Sequence, residues 1–141
     1  MNEHIDKLLD IAIFQTLAFF SVAVLALIVF LSLFECVTRY SAWDEIKRGN
    51  VSVALAVSGK ILGICNIFRF AIMSSEGDTI YASFLWAGFG FVLLLIAYFI
   101  YEFLTPVFRI DEEIARDNRA VGLISMIISI ALSYVIGASI P

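Results

Sequence analysis

Glu35-Cys-Val-Thr38-Arg-Tyr-Ser-Ala-Trp-Asp44-Glu45-Ile46-Lys-Arg48-Gly49-Asn50 is written again further along the chain, as Glu102-Phe-Leu-Thr105-Pro-Val-Phe-Arg-Ile-Asp111-Glu112-Glu113-Ile114-Ala-Arg116-Asp117-Asn118. Glu35, Thr38, Asp44 and Glu45 fall against Glu102, Thr105, Asp111 and Glu112. After one inserted residue, Ile46, Arg48, Asn50, Val53 and Leu55 fall against Ile114, Arg116, Asn118, Val121 and Leu123. Ordinary residue usage gives roughly one or two identities over such a length. The stretch therefore reads as an internal repeat, which sets the architecture before any single element does. Each copy joins two long apolar runs, so the chain divides into residues 1–73 and 74–141.

The 141 residues are 62% hydrophobic, with a mean hydropathy of +0.99. Soluble domains sit nearer 45–50% apolar, so the excess must face something other than water. About 20 apolar residues cross the roughly 30 Å hydrocarbon core of a bilayer. Four runs of that kind, about 11–37, 51–73, 79–104 and 120–140, predict an all-α membrane protein with four transmembrane helices. No basic stretch precedes the first run, and it is too long for the apolar segment of a cleavable signal, so it is expected to remain as the first span. Cys36 and Cys65 lie in or beside spans and suggest no disulfide framework. His4, the single histidine, shares no metal-ligand spacing with them, so neither a metal nor another cofactor is expected.

In chain order, Met1 to Asp10 reads as a short polar tail. In the first connection Ser41 stands three residues before Asp44, a capping-box spacing that predicts a short surface helix. The second span is unusual in holding Lys60, Asn66 and Arg69. An acidic turn, 74–78, follows it. The third span carries Tyr81 and Trp86 near one end and Tyr98 and Tyr101 near the other, as an aromatic interfacial belt would. Thr105-Pro106 reads as an N-cap with proline in the first turn. Val107, Ile110 and Ile114 then share one side of an amphipathic helix expected to lie on the membrane surface. The two connections hold Arg39, Lys47, Arg48, Arg109, Arg116 and Arg119. The excess of Lys and Arg in short loops marks the cytoplasmic side, so both motif loops are placed there and both termini outside. Each copy has two spans, an even number, so the copies form parallel repeats about an axis along the membrane normal.

A span ending in Glu, then Thr, Asp-Glu, Ile and Gly-Asn, then a small-residue-rich span, resembles the DUF350 family of bacterial inner-membrane proteins. The resemblance covers essentially the whole chain, one copy per pair of spans at a spacing of 67 to 68 residues. The second copy departs from it with Asp117-Asn118 in place of Gly49-Asn50, which leaves any role of the glycine backbone to the first copy. The resemblance implies an integral inner-membrane protein, sometimes associated with polyamine-related enzymes or membrane-stress partners. It implies no reaction.

Lys60 is the sharpest candidate for function. It lies about nine residues into its span, roughly 13 Å deep at 1.5 Å per residue, where an ionisable group costs at least ~2.5 kcal/mol and calls for a partner. Glu35 and Glu102, equivalent in the two copies, are the partners in reach of a snorkelling lysine. Such a group is either a structural ion pair or part of an ion or substrate path. The repeat equivalent of Lys60 is Ile128, so any path is asymmetric. Asn66 suits an interhelical hydrogen bond. Arg69 is expected to snorkel to the far interface near Glu76 or Asp78. Asp44, Glu45, Asp111 and Glu112 form two acidic pairs that either bind a cation or basic partner or simply solvate and pair with Arg48 and Arg116. Asn50 and Asn118 precede apolar spans as N-caps do. Gly59-x-x-x-Gly63 and the ridge Ser125, Ser129, Ser133 and Gly137 are helix-association surfaces. Four short spans leave such ridges to be shared between copies, which predicts a homo-oligomer, most simply a dimer.

No nucleophile–base arrangement, phosphate loop or nucleic-acid patch is present. The reading that follows is a non-enzymatic module that sits in the lipid bilayer, self-associates and docks a cytoplasmic protein through its acidic motif helices. The alternative is a small ion or polyamine channel or transporter subunit built on Lys60, Glu35 and Glu102.

Overall fold

The computed structural model describes residues 2–9, 11–74, 80–104 and 109–141. Within them the chain is helical: α1 (Asn2–Leu9), α2 (Ala12–Val37), α3 (Ala42–Lys47), α4 (Val51–Ser74), α5 (Ile80–Leu104), α6 (Ile110–Ala115) and α7 (Arg119–Ser139). α2, α4, α5 and α7 are each long and apolar enough to cross a bilayer, and they start and stop within two residues of the expected runs. The N-terminal tail differs from expectation, for Asn2–Leu9 is itself a helix. Glu3 in its first turn and Lys7 in its last both suit the helix dipole. The Thr105-Pro106 cap and the acidic turn fall outside the described residues. α6 is capped instead by Arg109, whose backbone is extended.

α4 is the hub of the bundle, the most buried of the four spans, and α2 is the least. Its closest neighbour is α7, and the reason is the absence of side chains where the two meet. A Cβ on Gly59 would stand 2.5 Å from the Met126 backbone, and one on Gly122 would stand 2.8 Å from the Ser52 Cα. Gly63 faces the Ser129 carbonyl, and Gly137 lies under the Phe70 ring. Ser125, Ser129 and Ser133 are all buried in this seam. Without a hydrophobic force between helices in lipid, such close backbone packing is what holds them together. The glycine pair of α4 and the serine ridge of α7 therefore satisfy each other within one chain. Neither surface is left over, so these ridges do not by themselves call for a second copy.

Two apolar clusters fill the interior. The larger joins Ala26, Phe30 and Phe34 of α2, Ile64, Ile67 and Phe68 of α4, and Phe91 and Leu94 of α5. The smaller sits at the loop end, where Ile110 and Ile114 pack on Val53, Ala56, Val57 and Val121. Ile110 and Ile114 are fully buried, so the apolar side of α6 seats on the end of the protein and not on lipid, a correction to the surface-helix expectation. Large apolar side chains exposed along α2 and α5, among them Leu25, Ile28, Leu85 and Phe89, are what a lipid-facing perimeter requires.

Candidate functional site

Both loop helices end in the same way. Gly49 takes a left-handed φ of 89°, and Asp117 takes one of 60°. In each loop this residue donates its N–H to the carbonyl three residues back, and the next residue donates to the carbonyl five back: Gly49 to Ile46 and Asn50 to Glu45, Asp117 to Ile114 and Asn118 to Glu113. That is a Schellman motif. Aspartate is among the few side chains tolerated at positive φ, so Asp117 carries the turn that was expected to belong to the glycine copy alone. Each asparagine then starts the next span, with Asn50 Oδ1 accepting from Val53 N at 3.0 Å and Asn118 Oδ1 from Val121 N at 3.4 Å. Both caps are as expected. Ser41, by contrast, does not cap α3 with its side chain and instead hydrogen-bonds to Asp44 Oδ2.

The contacts also correct the pairing of acids between the loops. Glu45 accepts from Arg48 and Asn50, and Glu113 pairs with Arg116 and accepts from Asn118. The recurrence is at 68 residues throughout the loop helices, so the extra residue lies ahead of them. Glu45 corresponds to Glu113, and Asp111 stands where the other loop has Trp43. Asp44 and Glu112 remain exposed, and the latter pairs with Arg109 across 3.3 Å. No single acidic face results, because the four acids have different tasks.

Asp111 has the most specific of these tasks. Only 2% exposed, its carboxylate accepts from the Tyr98 hydroxyl of α5 and from Arg39 N at 3.3 Å. Tyr98 also links it to the surroundings of Lys60, itself 3% exposed. The Lys60 ammonium lies 4.9 Å from the centre of the Phe34 ring, 5.2 Å from that of Tyr98 and 5.9 Å from that of Tyr40. Among the described residues no carboxylate stands within ion-pairing distance of it. The expected pairing with Glu35 is thus corrected: Glu35 Oε1 accepts from Ala42 N at 3.2 Å and holds the start of α3. The Glu102 side chain lies outside what is described. Tyr98, expected as a belt residue, is buried and belongs to this box.

Tyr40 completes the box. Its hydroxyl is buried without a hydrogen-bond partner among the described residues. Burial, and then the Asp111 charge, push it above its ordinary pKa. Beside the box a cavity of about 20 Å³ is lined by Leu31, Phe34, Glu35, Trp43, Val57 and Lys60, room for about one water. Toward the middle of the bundle the box is closed. Phe30 and Phe91 stack at 4.2 Å, Phe34 meets Phe91 edge-on at 5.3 Å, and Ile64 and Leu94 are buried beside them.

The other polar candidates do not converge on Lys60. Asn66 donates to Ser133 Oγ at 3.0 Å across the α4–α7 seam. Arg69 is exposed and lies over the Phe70 ring at 5.4 Å; Glu76 and Asp78 are outside the described residues. The loops are instead tied to each other. Asn50 Nδ2 donates to the Ile114 and Ala115 carbonyls, Asp117 Oδ1 accepts from Ser52 N, and Ser52 Oγ donates to the Asn118 carbonyl. The bond from Ser52, more than Arg119 nearby, holds the Asp117 carboxyl below its ordinary pKa.

This asymmetry has a measurable consequence. Asn118→Ala removes a cap, worth ~1 kcal/mol. Asn50→Ala removes a cap and also the two hydrogen bonds to the Ile114 and Ala115 carbonyls of the other loop, for a total of ~2–4 kcal/mol. Unfolding by SDS titration in bicelles should therefore separate the two variants by at least ~1 kcal/mol. Equal losses would show that the bonds between the loops contribute nothing.

Known proteins bear out the membrane assignment. The chain is 52% identical over 135 residues to the UPF0719 transmembrane protein YshE of Bacillus subtilis, covering 96% of each. It is 28% identical over 106 residues to the UPF0719 inner membrane protein YjfL of Escherichia coli, covering 75% of this chain and 77% of the relative. No solved structure matches the chain with significance. With residues 7–140, all four spans and both loop helices among them, matching the family described as Domain of Unknown Function (DUF350), this multi-pass membrane protein belongs to the DUF350 family.

Proposed function

We propose that the chain is a non-enzymatic, non-conducting membrane module that acts at its loop face, where α3 and α6 form a rigid seat for a cytoplasmic partner protein. One observation carries the reading: the polar box around Lys60 is closed toward the bundle interior by stacked phenylalanines, with room for about one water beside it. A conducting path needs polar groups in series, and Asn66 and Arg69 are engaged elsewhere. The cross-loop hydrogen bonds support rigidity, since each loop is fixed both to its own span and to the other loop. The Lys and Arg excess in the two loops supports a cytoplasmic position for them, with the termini outside. Recurrence of the whole loop geometry at 68 residues supports two parallel repeats, residues 1–73 and 74–141. Self-association is no longer required by the small-residue ridges and is not part of the proposal.

The test is ion and polyamine flux in proteoliposomes of the wild type and of Lys60→Met with fold confirmed. Flux at the level of protein-free vesicles is the expected result. Flux that the wild type supports and Lys60→Met abolishes would overturn the proposal in favour of a transport subunit, the reading that a lysine so deep in a span favours.

A further inference from the structure

Three aromatic faces and a buried carboxylate are how proteins bind an ammonium ion. Here the ion is supplied by the chain itself. Phe34 comes from α2, Tyr40 from the turn before α3, Tyr98 from α5, Asp111 from α6 and the ammonium from Lys60 of α4. Five segments thus meet around one charge, and α6 contributes a buried carboxylate that is bonded to the Tyr98 hydroxyl. We propose that Phe34, Tyr40, Tyr98 and Asp111 form an ammonium-binding box that Lys60 fills as a tethered ligand, and that its occupancy seats α6. The ligand class is a small primary alkylammonium ion. Apolar walls at Leu31, Phe34 and Val57 suit an alkyl stem, and the buried Asp111 selects for charge.

The cavity reaches Glu35 and the exposed Trp43, which gives such an ion a route from the loop side. Truncation of Lys60 to alanine removes three methylenes and the ammonium, so n-propylammonium is the matching fragment. A free ion lacks the tether that holds Lys60 in place, and its effective concentration must be supplied from solution, on the order of 10 mM.

The experiment is hydrogen exchange at the α6 amides, 110–116, in nanodiscs. Lys60→Ala is expected to speed exchange there by ~100-fold or more, because the buried Asp111 carboxylate is left without a cation in the box. Added n-propylammonium restores most of the protection, while n-propanol and sodium at the same concentration do not. Asp111→Asn in the same chain abolishes the rescue. Absence of rescue, rescue by n-propanol as strong as by the amine, or rescue that survives Asp111→Asn would each overturn the proposal. If Lys60→Ala does not fold, Lys60→Arg and Lys60→Met serve in its place: a box that needs a cation keeps α6 protected with arginine and not with methionine, and equal protection would overturn it. The inference goes beyond partner docking. Exchange at α6 reads the box, and flux reads conduction, so either can fail while the other stands.

Discussion

Gly59→Leu will separate α4 from α7 and leave a chain that does not hold its fold in mild detergent. The position is not merely small; it is where one backbone touches another. The first carbon of any side chain there would stand 2.5 Å from the Met126 Cα and 2.9 Å from its carbonyl oxygen. A side-chain neighbour could turn away, whereas a helix backbone can only move as a unit. Gly59→Ala already exceeds ordinary overpacking, so a loss of ~2–3 kcal/mol is expected. Leucine adds three further carbons in the same direction. Because α4 and α7 form the closest pair in the bundle, and packing is the main attraction between helices in lipid, their separation removes the principal tertiary contact.

Gly88 provides the control within the same fold. It is also a glycine inside a span, but a Cβ there meets nothing within 4 Å. Gly88→Ala should leave stability unchanged or raise it by up to ~1 kcal/mol, as relief of a helical glycine does. The apparent melting temperature and the SDS midpoint of the two alanine variants check the claim. If Gly59→Ala and Gly88→Ala behave alike, the α4–α7 seam is not the contact that holds the bundle.

Much of this seam was legible in the sequence. Gly59-x-x-x-Gly63 and the four-residue spacing of Ser125, Ser129, Ser133 and Gly137 mark helix-association faces without any structure. Spacing does not say which face meets which, and the same ridges read as a dimer interface until the fold pairs them. Gly122 against Ser52 is the tightest of these contacts to polar atoms, yet it lies outside the regular spacing and gave no signal. The spans themselves were plain, because hydrocarbon thickness sets their length.

The box was only half legible. Lys60 stands out because a charge inside a span is costly. Its surroundings were hidden for a geometric reason. Asp111 sits in a loop whose acids all look solvated, and one residue of register separates it from its exposed neighbour Glu112. Reading Asp111 as the counterpart of Asp44 made it a surface residue; the helix register makes it the counterpart of Trp43 and turns it inward. Tyr98 likewise reads as an interfacial aromatic by position along α5. Only the rotation of the helix shows it facing Phe34, edge-on at 6.1 Å. Periodicity gives the face of an isolated helix, but in a span that is apolar all round no stripe distinguishes lipid from core.

Asp111→Asn should therefore cost far more than its place in a loop suggests. The substitution keeps the shape and removes the charge, so Lys60 stays buried without the Asp111 carboxylate in its box. Leaving a buried charge uncompensated costs up to ~3–5 kcal/mol. The Tyr98 hydroxyl and Arg39 N–H also exchange a charged acceptor for a neutral one, a weaker bond in each case. Glu112→Gln, one residue away, should lie within ~0.5 kcal/mol of wild type, for its pair with Arg109 is exposed on both sides. The decisive comparison is with Lys60→Met in the same chain. If the damage comes from an uncompensated ammonium, the double variant Lys60→Met/Asp111→Asn recovers most of what Asp111→Asn loses, since an apolar replacement of both partners leaves no buried charge. SDS titration of the three variants in bicelles measures that coupling directly. A loss for Asp111→Asn no larger than for Glu112→Gln would show that the aromatic faces alone hold the lysine. A double variant as weak as the sum of the singles would show that Asp111 acts through Tyr98 and Arg39 and not through Lys60.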